Sequence, residues 1–161
     1  MTDTPGRLAE ARRARREGRL EEAEKGYRAV LEKDEARGGY GAVPRLNLAL
    51  CQIARGNYFD ARQALGELLE IWKRQRMRGF IAICQIALAP AAAGVGDWLA
   101  YDRHLREATV LIAQTGMVDI DVGHCAEKAA ELALKARMSE RARLALEVAL
   151  RNWEQLGDEI R

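Results

Sequence analysis

The sequence predicts an all-α chain folded as a helical-repeat solenoid of about four helix–turn–helix units. Three observations predict it. A small-residue signature recurs as Gly18-x-Leu20-x-x-Ala23, Gly56-x-Tyr58-x-x-Ala61 and Gly96-x-Trp98-x-x-Tyr101, with a worn fourth copy from Arg137 to Ala142. Starts at 18, 56, 96 and 137 give steps of 38, 40 and 41 residues, and a near-fixed period of this size marks stacked helical units, none of which buries its apolar face alone. Only 3 prolines and few β-branched runs leave helix as the default state.

Eight helices follow in four pairs. The first begins near Pro5, with Thr4 placed to cap it, and ends near Glu17. The second runs from Leu20 to Ala36, with Gly38 as its stop. The third spans Pro44 to Arg55, the fourth Tyr58 to Arg76, and the fifth Arg78 to Ala93. Pro90 lies inside the fifth, where it predicts a kink or an early end near Ala89. The sixth is capped by Asp97 and stopped by Gly116, the seventh covers Val118 to Ala136, and Ser139 opens the eighth, which ends before Gly157. Gly38, Gly116 and Gly157 sit at matching offsets, each where a left-handed residue would close a helix. The second helices share one apolar face: Ala23, Tyr27 and Val30; Ala61, Leu65 and Leu68; Tyr101, Leu105 and Ala108; Ala142, Leu146 and Ala149. The repeats read as 5–38, 43–78, 79–116 and 118–157 within one domain, 1–161.

Composition narrows the class. An apolar share of 48% with 31% charged residues is that of a folded chain rather than a disordered one. The longest apolar stretch, Phe80 to Val95, is interrupted by Gln85, Pro90 and Gly94 and is too short to cross a bilayer. Met1 to Pro5 lacks the basic-then-apolar layout of a secretion signal. Cys51, Cys84 and Cys125 are odd in number and irregularly spaced, which predicts reduced thiols and a cytoplasmic setting. A net charge of +2 does not by itself call for nucleic acid.

The Gly-x-aromatic-x-x-Ala turn, with a large residue four positions on, resembles the tetratricopeptide repeat family. The resemblance covers nearly the whole chain. It implies a right-handed superhelix whose concave side, lined by the first helix of each pair, grips a peptide or helix. The period here is longer than the family's 34 residues. The first-helix Trp and the Pro after each second helix are missing. Such long-period forms are similar to repeat regions of large bacterial regulators, which implies an adaptor or sensory role. A HEAT-like unit shares the period but does not require this turn.

The sequence offers little chemistry. His124-Cys125 is an adjacent pair whose side chains leave a helix on different sides, whereas two metal ligands on one face need a spacing of three or four. No phosphate-binding glycine loop and no nucleophile elbow is present. No catalytic, metal or cofactor site is therefore expected. The expected function is a non-catalytic scaffold for a protein or peptide, with groove candidates Leu8, Arg12, Leu46, Asn47, Leu50, Ile83, Ile86, Pro90, Glu127 and Glu131. A family subset clamps a C-terminal carboxylate; only Asn47 matches that pattern, since Leu8, Arg12, Ile83 and Ala87 stand at the other positions.

Nucleic acid is the less favoured partner. Its site would be the basic patch Lys73, Arg74, Arg76 and Arg78, with only Glu70 nearby, whereas Arg12, Arg13, Arg15, Arg16 and Arg19 are interleaved with glutamates. The eighth helix carries Leu144, Leu146, Val148, Ala149, Leu150 and Trp153, apolar nearly all round, and is expected to meet further repeats or a second copy.

Overall fold

A computed structural model describes the backbone of residues 4–160 and the side chains of residues 5–157. The chain forms α1 (Thr4–Arg16), α2 (Leu20–Ala36), α3 (Ala42–Arg55), α4 (Tyr58–Arg74), α5 (Arg78–Gly94), α6 (Trp98–Thr115), α7 (Ile120–Lys135) and α8 (Ser139–Ile160), with no strand among the described residues.

The joints follow one rule. Besides Gly41, the N-cap of α3, left-handed backbone occurs at Gly18, Gly38, Gly56, Arg76, Gly96, Gly116 and Arg137, at intervals of 18 to 21 residues. After α1, α2, α3, α4, α5 and α7 this residue donates its N–H three residues back, and the next residue donates five back, as in Arg137 N–H to Leu134 (2.9 Å) and Met138 N–H to Ala133 (2.8 Å). The paired bonds satisfy the last carbonyls of these helices and reverse the chain within three residues, or within five between α2 and α3. The worn fourth signature thus keeps the geometry of the other three, with arginine where they have glycine. Each signature's small position is buried: Ala23, Ala61 and Tyr101 are fully covered and Ala142 is 1% exposed.

Several expected boundaries are corrected. The fourth helix stops at Arg74, because Arg76 takes the left-handed turn position. The fifth does not end at Ala89; it continues through Pro90 to Gly94. The eighth runs past Gly157, which is not left-handed, to Ile160. The seventh starts at Ile120 rather than Val118, because Asp119 caps it: the Asp119 carboxylate accepts from the Asp121 N–H at 2.7 Å. The cap expected at Thr4 concerns a side chain outside the described residues. The Asp97 cap of α6 is present, accepting from the Ala100 N–H at 3.1 Å.

Helices pack on their chain neighbours in the first three units. α2 lies against α3 and α4 against α5, so each second helix is covered by the first helix of the following unit. The series breaks at the fourth unit. α7 packs along α5, and α6 and α7 have no extended contact among the described residues. Val122, Ala126 and Ala129 of α7 pack into the main core, and two polar side chains tie down the start of the helix. Asn152 of α8, 2% exposed, accepts from the Asp119 N–H at 3.1 Å and donates to its carbonyl at 2.9 Å. Arg15 at the end of α1 forms a two-pronged ion pair with Asp121 at the start of α7, at 2.8 and 3.1 Å. The first unit is thereby tied to the fourth across the inner side of the stack.

The core divides in two. A large cluster runs from Leu46 through α5 to Ala149; a small one joins Ala11, Ala14, Ala23 and Tyr27 to Leu48 and Cys51. The cysteines are unbridged and buried, and burial pushes the Cys84 thiol up to about 12.

Candidate functional site

The inner residues expected to line a groove are mostly covered. Leu46, Leu50 and Ile86 are at most 5% exposed and belong to the main core, and Pro90 is buried in α5. Asn47, 4% exposed, donates its amide to the Val43 carbonyl one turn back in its own helix at 2.9 Å, so its side chain is turned along α3. Arg12 and Ile83 are half-buried, and Leu8 packs against the small core. Glu127 is exposed and accepts from the Trp153 indole N–H at 2.8 Å; Glu131 pairs with Lys128 and Lys135 at 3.2 and 2.7 Å. The structure therefore does not bring these positions together as one open surface. Two packings account for the burial: α3 is enclosed by α2, α4 and α5, and α7 lies along α5.

A cleft of about 330 Å³ remains on that inner side, between the α1 and α3 ends and α7. Arg15, Leu50, Asp121, His124 and Lys128 line it, and the Arg15–Asp121 pair bridges it.

The larger opening lies elsewhere. α6 and α8 face each other across a groove of about 760 Å³, predominantly apolar along its lining. Leu105, Ile112 and Val148 form its base, with Val110 (50% exposed) and Leu144 (43% exposed) on its walls. One end is braced. Arg141 grips Asp102 with two bonds of 2.8 Å, its guanidinium stands over the Trp98 ring, and the Tyr101 hydroxyl donates to the Arg141 carbonyl at 3.0 Å. Glu140 and Glu147 are both engaged by Arg143. Among the described residues, no carboxylate pairs with Arg106 or Arg151, which also line the groove.

No protein-family model matches the chain, and no curated protein sequence matches it.

The basic patch is exposed at the α4–α5 joint. Lys73 lies 3.7 Å from Glu70, Arg74 donates to the Glu70 carbonyl at 3.3 Å, and Arg78 donates to Gln114 at 2.6 Å. Trp72 is 3% exposed and stacked on Phe80 at 4.5 Å between ring centroids, so its faces are not open to a base. His124 is exposed beside buried Cys125, and its ring meets Trp153 edge-on. Among the described residues, no group of three His, Cys, Asp or Glu side chains is placed to hold a metal ion.

One buried polar network escaped the sequence reading. His104 shares a 2.7 Å hydrogen bond with Gln85 Oε1, and Gln85 donates from Nε2 to Glu107. Burial, helped by the charges of Arg103 and Arg62, lowers the His104 imidazole to about 4, so it is neutral and its Nδ1–H is the donor to Gln85. Gln85 falls in the apolar stretch of α5, and its offset from His104 in α6 follows no local spacing rule.

Proposed function

We propose that this chain is a non-catalytic interaction scaffold of the tetratricopeptide type, a right-handed stack of helix pairs that binds a protein partner. The observation that carries the reading is the α6–α8 groove: an apolar trough with a charged rim, braced at one end and open along its length. Concave apolar sites with a few placed polar groups are the usual binding surfaces of folded chains. The scaffold acts in the cytoplasm, as the adaptor or sensory part of a larger bacterial regulator. The exposed leucines of α8, Leu146 and Leu150, supply a second surface, for further repeats or a second copy.

The test is affinity capture from the native host extract with three baits of matched thermal stability: wild type, Leu144→Glu, and Lys73→Glu with Arg76→Glu. A protein retained at high salt by wild type and lost on Leu144→Glu supports the scaffold. Nucleic acid lost with rising salt and absent from the patch variant would move the function to Lys73–Arg78, since phosphate contacts weaken steeply with ionic strength. Identical recovery by all three baits removes both readings.

A further inference from the structure

We infer that the α6–α8 groove takes one amphipathic helix of a partner protein, its apolar stripe flanked by carboxylates. This rests on the scaffold reading above and adds the occupant's shape and charge.

The repeat itself argues for a helix. The signatures at 56 and 96 put Leu69 and Trp72 of α4 at the positions of Thr109 and Ile112 in α6. In α4 these residues are 6% and 3% exposed, because α5 covers them. In α6 the same face has no such cover: α7 has gone to α5, Thr109 is exposed, Ile112 is half-buried, and both line the groove. The vacant place is one that a helix fills elsewhere in the same chain. The groove lining runs from Asp102 to Gly116, a trough of about 22 Å at 1.5 Å per residue, which suits about four turns of a guest helix. Helices of this kind dock through apolar anchors at i, i+3, i+4 and i+7.

The rim argues for acid. Asp102 is engaged by Arg141, and Glu140 and Glu147 by Arg143. Among the described residues, Arg106 on one wall and Arg151 on the other are left without a carboxylate. A helix centred between them meets a cation on each side, so carboxylates flanking its stripe complete two pairs, and lysines there meet like charge.

The experiment is selection from a display library of 16-residue helical peptides with randomised stripe and flanking positions, against the full chain. Enriched peptides are expected to carry a leucine-type stripe with Glu or Asp on both flanks. The Arg106→Glu, Arg151→Glu double variant is expected to weaken an enriched peptide at least tenfold, and Lys in place of the peptide's flanking acids is expected to restore it. Both arginines are exposed, so the variant should melt as wild type does. Enrichment of basic or extended peptides, no enrichment, or unchanged affinity in the double variant overturns the inference. So does tighter binding of a single-stranded RNA that competes at these arginines. Self-association that Leu144→Glu abolishes gives the groove to a second copy instead. If selection fails while the captured partner is still lost on Leu144→Glu, the acidic helix falls and the scaffold stands.

Discussion

Arg137 and Arg76 hold φ values of 59° and 56° in turns where the chain elsewhere places glycine. A side chain in this region costs about 1–2 kcal/mol, while glycine's greater freedom in the unfolded chain costs about 0.5–1 kcal/mol. Arg137→Gly is therefore expected to stabilise by about 0.5–1 kcal/mol, a rise of about 1–4 °C in melting temperature for a chain of this size. A circular-dichroism melt checks it, and a lowered midpoint would mean that the arginine side chain holds the joint by contacts of its own. His104 makes a second residue-scale prediction. Its imidazole titrates near 4 when folded and near 6.5 when unfolded, so between these values the unfolded state binds the extra proton. Stability should be full above pH 6.5 and fall as pH drops toward 4. The groups around the ring are Arg103, Arg62, Asp97 and Lys73; only Asp97 among them opposes the shift. Asp97 itself is held below the ordinary carboxylate range by the Ala100 N–H and Arg62, so it stays charged through the upper part of the window. His104→Gln should flatten the slope of melting temperature between pH 6.5 and 5; an unchanged slope would assign it to other groups.

At the scale of the element, glycine carries two meanings that propensity alone confuses. Gly66 lies inside α4 with open space around it, so Gly66→Ala should gain about 1 kcal/mol. Gly123 of α7 and Gly94 at the end of α5 are crossing points: a methyl on either would overlap the Trp153 or the Tyr58 ring. Gly123→Ala is expected to lose about 1–3 kcal/mol despite alanine's better helix propensity, because the ring must leave its packed place. Urea unfolding of the two variants should show opposite signs; the same sign in both would remove the close crossing as the reason for Gly123. Helix order and joints were legible because the turn is encoded locally, in a left-handed residue and its neighbours. The end of α4 was misread because arginine can occupy that position, and the end of α8 because Gly157 lies in ordinary helix there. The groove was not legible at all. It exists because α7 leaves α6 for α5, held there by buried side chains such as Val122, Ala126 and Ala129 in the main core and by an ion pair 106 residues apart in sequence. Leu50 and Ile86 have the spacing of a groove face, but the same spacing serves a core, and only the packing of the neighbouring helices decides between them.

Over the whole molecule, the Arg15–Asp121 pair turns an open series into one whose ends touch. Their side chains are 11% and 22% exposed, and Arg15 also donates to the Tyr27 hydroxyl at 3.2 Å, so one guanidinium joins α1, α2 and α7. The first unit otherwise rests on the small core it shares with Leu48 and Cys51 of α3, separate from the main one. In a repeat stack, units with few shared contacts open below the global free energy. Removing one partner of a largely buried pair leaves a charge without its counterion and costs about 3–5 kcal/mol, whereas replacing both by apolar residues can be near neutral. Asp121→Ala is thus expected to speed amide exchange throughout α1 and α2 while leaving α5 and α6 protected, and Arg15→Met with Asp121→Leu should recover much of the loss. Exchange that rises equally in all eight helices would show instead that the first unit unfolds only with the rest, and that the pair contributes to one cooperative core.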